Sequence, residues 1–416
     1  MRDMTPSGRN EGPTPADAAR GRPLLDLVLE TIWCSGSMSR ADLARGLGLS
    51  RSTVSELVSR LLETELVVEG VEGPSRGGRR PILLEFREDA HLILGVEMGA
   101  SHVGIALTDL RGRVLWYEEE DHPVREDPAG TRAHIRAMFE TALDAAPLSD
   151  ARDRLMGIGI AVPSPVDPRY PDRLATEVLP RWEGRSGFAE LSEAFGVPVL
   201  VDNDANLGAV AELWWGAGQD VDHFTFIKLA TGIGAGHIVK GDVYRGATSV
   251  AGEIGHMSVD PTGEPCICGN RGCLTTVAGT RALLRRAETL IAEYPNSPLA
   301  SEPVTLRALE QASLSRDPLA TEVIREAAHH LGVAISGMIN LMNPGAVILG
   351  GSLTRVGDAL LIPLRKAVVR RTLVSSVAAS DIRLSALGDS SIAVGATTYV
   401  LASALADPSL FPTYRS

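Results

Sequence analysis

Cysteine is scarce in this 416-residue chain: there are four, three of them between positions 266 and 273. A disulfide framework is thereby excluded as the source of stability, and clustered thiols suit metal binding in a reducing compartment. No apolar leader follows the N-terminus, so the sequence reads as cytoplasmic. The longest uncharged run, Leu331–Leu353, is interrupted by Asn343, Pro344 and Gly345, which predicts a buried helix, a turn and a buried strand instead of a membrane span. A basic excess is also lacking. The formal net charge of −12 excludes a protein that coats nucleic acid generally and confines any DNA contact to a local patch. With 44% hydrophobic and 22% charged residues, the chain is globular and long enough for about three domains of ordinary size.

Residues 1–22, rich in Pro, Gly and Ala without periodicity, read as a flexible tail. An apolar stripe of Leu24, Leu25, Leu27, Val28 and Ile32 then predicts a first helix. Ser39, three residues before Asp42, opens a second helix over Arg40–Leu47, which Gly48 closes. Ser50 caps a third, in which Val54, Leu57, Val58, Leu61 and Leu62 share one face. Its polar side carries Arg51, Ser52, Thr53, Ser55, Ser59 and Arg60. Two helices joined by a short turn, the second offering hydroxyls and arginines at its N-terminal end, describe a helix-turn-helix. Two strand-like runs, Leu66–Val71 and Ile82–Phe86, flank EGPSRGGRR and add a wing whose Arg76, Arg79 and Arg80 can reach phosphates. Up to Glu88 there are twelve arginines, no lysine and thirteen acids. The bare count favours neither DNA binding nor a polar interaction module, but the basic residues gather at the third helix and the wing tip.

From residue 89 the pattern becomes α/β. HLILGVEMGASHVGIALTDL reads as strand, glycine turn, strand, and FTFIKLATGIGAGHIV at 224–239 repeats the plan. Two such halves predict a duplicated fold with a cleft between lobes. The second glycine turn, Thr231–Gly236, is a phosphate cradle or simply a tight hairpin; the first, Glu97–His102, has one glycine and an acid that repels phosphate. Between the halves, a strand runs into Asp202, Asn203, Asp204 and Asn206. Carboxylates and amides at a strand's carboxyl end suit polyhydroxyl ligands and general-base work, although Asp204 also reads as a helix cap. The C-terminal third alternates helix and strand up to a last helix from Ser391.

The densest chemistry lies at Gly252–Cys273, GEIGHMSVDPTGEPCICGNRGC. His256 with Cys266, Cys268 and Cys273 is the ligand set of a closed, structural zinc site, with a reduced loop or a disulfide as the plainer readings. Glu253 adds an acceptor, and the other nitrogen of a metal-bound His256 can meet a hydroxyl.

Taken together, LATGIGAGHIVKG, AGEIGH, CICGNRGC, VDNDAN and the N-terminal LARGLGLSRSTVSELVSRLLE resemble the regulator branch of the ROK family of repressors, open reading frames and kinases. The likeness runs from about Leu24 to the last helix. It implies a winged helix-turn-helix followed by an actin-like, hexokinase-like two-lobed α/β domain, zinc on His256, Cys266, Cys268 and Cys273, and a sugar pocket including Asn203, Asp204, Glu253 and His256. Residue 204 matches the base of family kinases. Family kinases carry DxGGTK at the first phosphate turn, where this chain has Glu97, Met98, Gly99, Ala100, Ser101 and His102. They also carry Glu after GCL as a sugar ligand, where Thr275 stands here, which makes Thr275 the position at which ligand preference differs. The expected division is a tail at 1–22, a DNA-binding domain at 23–88 and a sugar domain at 89–416, its small lobe about 89–203 plus the C-terminal helix and its large lobe about 204–388.

The leading expectation is a sugar-responsive repressor, not an enzyme, that binds a palindromic operator as a homodimer or homotetramer. Arg51, Ser52, Thr53, Ser55, Arg79 and Arg80 are the expected DNA contacts. The rivals are an ATP-dependent sugar kinase with an appended DNA-binding head, and a zinc-stabilised interaction protein without a small ligand.

Overall fold

The computed structural model describes residues 23–73, 80–301, 303–371 and 381–414. They form two compact units. One takes in the described residues up to Leu92, Asp109–Arg111 and the chain from Leu401 onward; the other comprises Ile93–Thr108 and Gly112–Val400.

The first unit starts with helix α1 (Leu24–Ser35), a short strand β1 (Ser37–Ser39), α2 (Arg40–Leu47) and α3 (Arg51–Glu63). The Ser39 side chain accepts from the Asp42 amide, and Gly48 ends α2 in the left-handed conformation, as the local sequence dictates. Val54, Leu57, Val58 and Leu61 of α3 are buried with Leu25, Val28, Leu29 and Ile32 of α1. Strands β2 (Val67–Glu72) and β3 (Ile82–Phe86) complete a three-stranded sheet in the order β1-β3-β2. The Arg40 guanidinium lies 2.8 Å from Glu69, joining α2 to the sheet. The end of the chain belongs to this unit as well. Phe411 and Tyr414 are buried, the Tyr414 hydroxyl donates to Asp26, and the Phe411 ring stacks on His91.

The second unit contains two five-stranded sheets built alike. One has the order β6-β5-β4-β7-β8 and the other β11-β10-β9-β12-β13. The first comprises β4 (Leu92–Met98), β5 (His102–Thr108), β6 (Val114–Asp121), β7 (Leu155–Val162) and β8 (Val199–Asn203). The second comprises β9 (His223–Leu229), β10 (Ile233–Val239), β11 (Asp242–Tyr244), β12 (Ala346–Gly350) and β13 (Ile382–Leu384). In each, a three-strand antiparallel meander supplies one edge and a parallel pair the other. The matching orders bear out the duplication read from the two strand–glycine–strand segments.

Eight further helices, α4 (Pro128–Asp144), α5 (Ala189–Phe195), α6 (Asp204–Trp215), α7 (Leu274–Ala278), α8 (Thr280–Leu290), α9 (Leu306–Leu314), α10 (Pro318–Met342) and α11 (Asp358–Val369), are described before the last helix. The second sheet packs on α7–α11 in one large apolar cluster centred on α10. Asn343, in the left-handed region at φ 44°, ends α10 just before Pro344, which cannot continue a helix. The last helix, α12 (Ser391–Ala406), approaches the first sheet with almost no side chain between them. A Cβ on Gly95 of β4 would fall 2.1 Å from the Ala393 carbonyl, and one on Gly159 of β7 would fall 2.0 Å from that of Ala396. Glycine is required at both strands because backbone meets backbone.

Candidate functional site

In the first unit, α3 presents Arg51, Ser52, Ser55, Glu56, Ser59 and Arg60 on its exposed side, with Thr53 half-buried. The Ser50 hydroxyl lies 2.8 Å from those of Ser52 and Thr53 and accepts from the Thr53 amide. The start of the helix is thus capped, with two of the expected DNA-contacting hydroxyls already sharing that cap. Arg80 is exposed. Arg76 and Arg79 lie outside the described residues. A rigid, capped helix N-terminus beside an exposed guanidinium suits phosphate contact, and the following turn suits base edges.

In the second unit, the sulfurs of Cys266, Cys268 and Cys273 and a ring nitrogen of His256 all lie within 4.8 Å of one another. The Cys268 and Cys273 sulfurs are 3.6 Å apart, and the His256 Nδ1 is 3.4 Å from Cys266 Sγ. Two sulfurs each about 2.3 Å from a tetrahedral ion would be about 3.8 Å apart. The donor set therefore fits a closed site, and a divalent cation bound there would supply the charge that three converging thiolates need. His256 turns its other nitrogen, Nε2, toward Glu253 at 3.9 Å. Gly252 and Gly255 let this segment lie directly on β10: a Cβ at either would fall about 2 Å from the carbonyl of Ala235 or Ile233 respectively. Thr275 packs its hydroxyl against Gly255. Burial, followed by the nearby Asp204, raises the Glu253 carboxyl.

Asn203 and Asp204 stand where β8 passes into α6. Asn203 caps the helix, its Oδ1 accepting from the amides of Ala205 and Asn206 at 3.0 and 3.2 Å while its Nδ2 donates to the Ser164 carbonyl at 3.2 Å. The capping role considered for residue 204 thus falls on its neighbour. Asp204 is buried, and both its oxygens are engaged: Oδ1 accepts from the Ala205 amide at 2.7 Å and Oδ2 from the Lys228 ammonium at 2.8 Å. Lys228 Nζ also lies 3.0 Å from Glu97 Oε1. Glu97 and Lys228 are the sixth residues of β4 and β9, the equivalent strands of the two sheets, and each faces a glycine of the following strand, Gly104 and Gly234. The pair therefore joins the duplicated halves at matching positions.

Burial alone would raise the Glu97 carboxyl, but the Lys228 ammonium and a hydrogen bond with His102 outweigh it and hold the group at about 2. Lys228 is driven the other way: burial lowers it, and Asp204 and Glu97 together raise it above its ordinary value. The His102 Nε2 lies 3.6 Å from Glu97. Its ring lies against the first glycine turn so closely that a Cβ on Gly99 would be 2.1 Å from Cε1. The space over that turn is filled by a side chain. At the second turn, the space beside Gly232 is open. One further pair lies at the same end of β8: Arg245 holds the buried Asp202 bidentately at 2.7 and 2.5 Å.

Lys228 and Arg245 were missed as site residues. A signal for the first existed, since a lysine in FTFIKLA and a glutamate in HLILGVEMG are single charges in otherwise apolar strands and need partners. Nothing local in the sequence pairs Arg245 with Asp202, 43 positions away.

A model described as ROK family matches residues 93–403, and one described as MarR family matches residues 27–68. A putative xylose repressor from Caldicellulosiruptor sp. (strain Rt8B.4) is 33% identical over 387 residues, covering 92% of this chain and 96% of the relative. The crystal structure of a ROK family transcriptional regulator, a homologue of the E. coli MLC protein, superposes with a TM-score of 0.76 at 28% identity, covering 94% of this chain and 98% of that one. A ROK family glucokinase from Streptomyces griseus, solved with glucose and AMPPNP, superposes with a TM-score of 0.66 at 28% identity over 74% of this chain and 98% of its own. A capped helix in a winged unit precedes a duplicated α/β core that carries a partly buried Cys/His cluster, and both halves of that description have matching relatives; the chain belongs to the ROK family.

Proposed function

We propose that this protein is a transcriptional repressor whose DNA affinity is set by a sugar bound in the cleft of its second unit. The observation that carries the reading is the joining, in one chain, of an exposed and capped recognition helix to a cleft whose first phosphate turn is filled by His102. Residues 23–88 are the DNA-binding domain and 89–416 the sugar domain, with lobes at about 89–203 plus the last helix and about 204–388. Arg51, Ser52, Thr53, Ser55, Arg79 and Arg80 contact the operator. Asn203, Asp204, Glu253, His256 and Thr275 contact the sugar. The ligand binds one lobe arrangement better than the other and so shifts the population that binds DNA. A repressor of xylose or related carbohydrate genes is the natural expectation from the relative's name. The protein acts in the cytoplasm as a homodimer or homotetramer on a palindromic site.

Zinc is held by His256, Cys266, Cys268 and Cys273. With four protein ligands its chemistry is structural, fixing the segment that carries Glu253 and the Nε2 of His256. The Lys228 ammonium, bound at 2.8 Å to Asp204, stabilises the charged carboxylate and makes it a weaker base. One observation favours a kinase instead: the second glycine turn remains open at Gly232. An operator-binding titration against a panel of pentoses, hexoses and N-acetylhexosamines, with and without ATP, separates the readings. The repressor reading requires operator affinity to change with sugar alone; ATP-dependent turnover of about 1 to 100 per second would replace it.

A further inference from the structure

The cationic groups described around Asp204, Glu97 and Asp202 are already engaged. The Lys228 ammonium lies between Asp204 and Glu97, with a side chain only 8% exposed. Arg245 is bound through both arms to Asp202. His102 leans on Glu97, and the His256 Nδ1 faces the cysteines. Recognition of a phosphate ester needs unpaired donors carrying charge, ideally an arginine fork or a lysine beside helix amides. Here a phosphate would meet carboxylates whose counter-charge is already bound, together with the amide dipoles of the second turn. A sugar hydroxyl, by contrast, is a donor. A carboxylate offers about four lone-pair sites, and at Asp204 the Ala205 amide and Lys228 take one each.

We propose that Lys228 sets the ligand class of this cleft: with its ammonium bound to Asp204 and Glu97, the site presents acceptors without an unpaired cation and takes a neutral, unphosphorylated sugar, excluding sugar phosphates and nucleotides. This inference rests on the sugar-responsive reading. It adds which chemical form of the sugar is sensed, and it names a residue that keeps the anionic form out. Glu97 shares this role, since it holds the half of the ammonium that Asp204 does not.

The test uses the full-length protein and matched pairs of ligands: xylose and xylose 5-phosphate, glucose and glucose 6-phosphate, N-acetylglucosamine and its 6-phosphate. Titration calorimetry gives each affinity, and operator release under the same conditions gives the response. A neutral sugar is expected to bind at least about a hundredfold more tightly than its phosphate. In Glu97→Gln, which leaves the shape of the strand intact, the ammonium loses one of its two counter-charges, and that ratio is expected to shrink by about tenfold or more. A phosphate ester that binds as tightly as its parent sugar and releases the operator overturns the inference while leaving the repressor reading standing. A ratio unchanged in a Glu97→Gln variant that melts cooperatively overturns the assignment to Lys228. Operator binding indifferent to every member of the panel overturns both.

Discussion

Lys228 shows how one residue can decide the character of a site. A buried ammonium between two carboxylates is tolerated because each partner offsets the desolvation of the other, and removing one leaves a charge stranded. Lys228→Met is expected to lower stability by about 3–5 kcal/mol, measured by denaturant unfolding. The same cluster gives a signed pH dependence. Glu97 moves from an ordinary 4.5 to about 2 in the folded chain, so its contribution is complete above about 4.5 and is lost as pH falls from there toward 2. Urea midpoints followed from about pH 6 to about pH 3 should fall steeply in the native protein and less so in Glu97→Gln. Asn203 offers a different discrimination, because its Oδ1 caps α6 while its Nδ2 reaches Ser164. Asn203→Ala should cost about 1 kcal/mol through removal of the cap, whereas Asn203→Asp should keep the cap and lack the amide donor. If both variants bind sugar with native affinity, residue 203 is a cap and no more.

At the scale of elements, the sequence was most informative where a single physical rule dominates. Ser39 and Ser50 through hydroxyl caps, and Gly48 through a left-handed backbone, punctuate α2 and α3 by local chemistry alone, and the structure follows them to the residue. Short elements set by their surroundings escaped notice, among them β1 (Ser37–Ser39), which exists because β3 pairs with it, and α7 (Leu274–Ala278), which is only five residues long. Strand β8 (Val199–Asn203) runs through Asp202 and Asn203, which the sequence places just beyond its end. Its end carries Asp202, and a charge there reads as loop until Arg245 is seen to pair with it. Two variants test the elements that carry function. Arg51→Ala combined with Arg80→Ala should weaken operator binding and lower the salt slope by about one for each phosphate left without its guanidinium, with sugar affinity unchanged. Cys268→Ser should abolish stoichiometric metal, measured by emission spectrometry, and weaken the sugar response by about tenfold before DNA affinity suffers.

The whole molecule was legible as an architecture more than as a mechanism. Two strand–glycine–strand segments announced a duplication, and the two sheets share one strand order. What no window of sequence conveys is that position six of β4 and position six of β9 touch across the halves. A charge exchange tests that pair as a unit: Glu97→Lys with Lys228→Glu should be less destabilised than the sum of the two single changes, by at least about 1 kcal/mol. The pair also carries a history. If the two sheets arose from one repeated segment, identical copies would have set like charges, or two neutral groups, face to face at this point. A glutamate opposite a lysine can exist only after the copies have diverged, and once in place it makes each half unable to stand in for the other. The Glu97–Lys228 ion pair therefore also ends the interchangeability of the two halves.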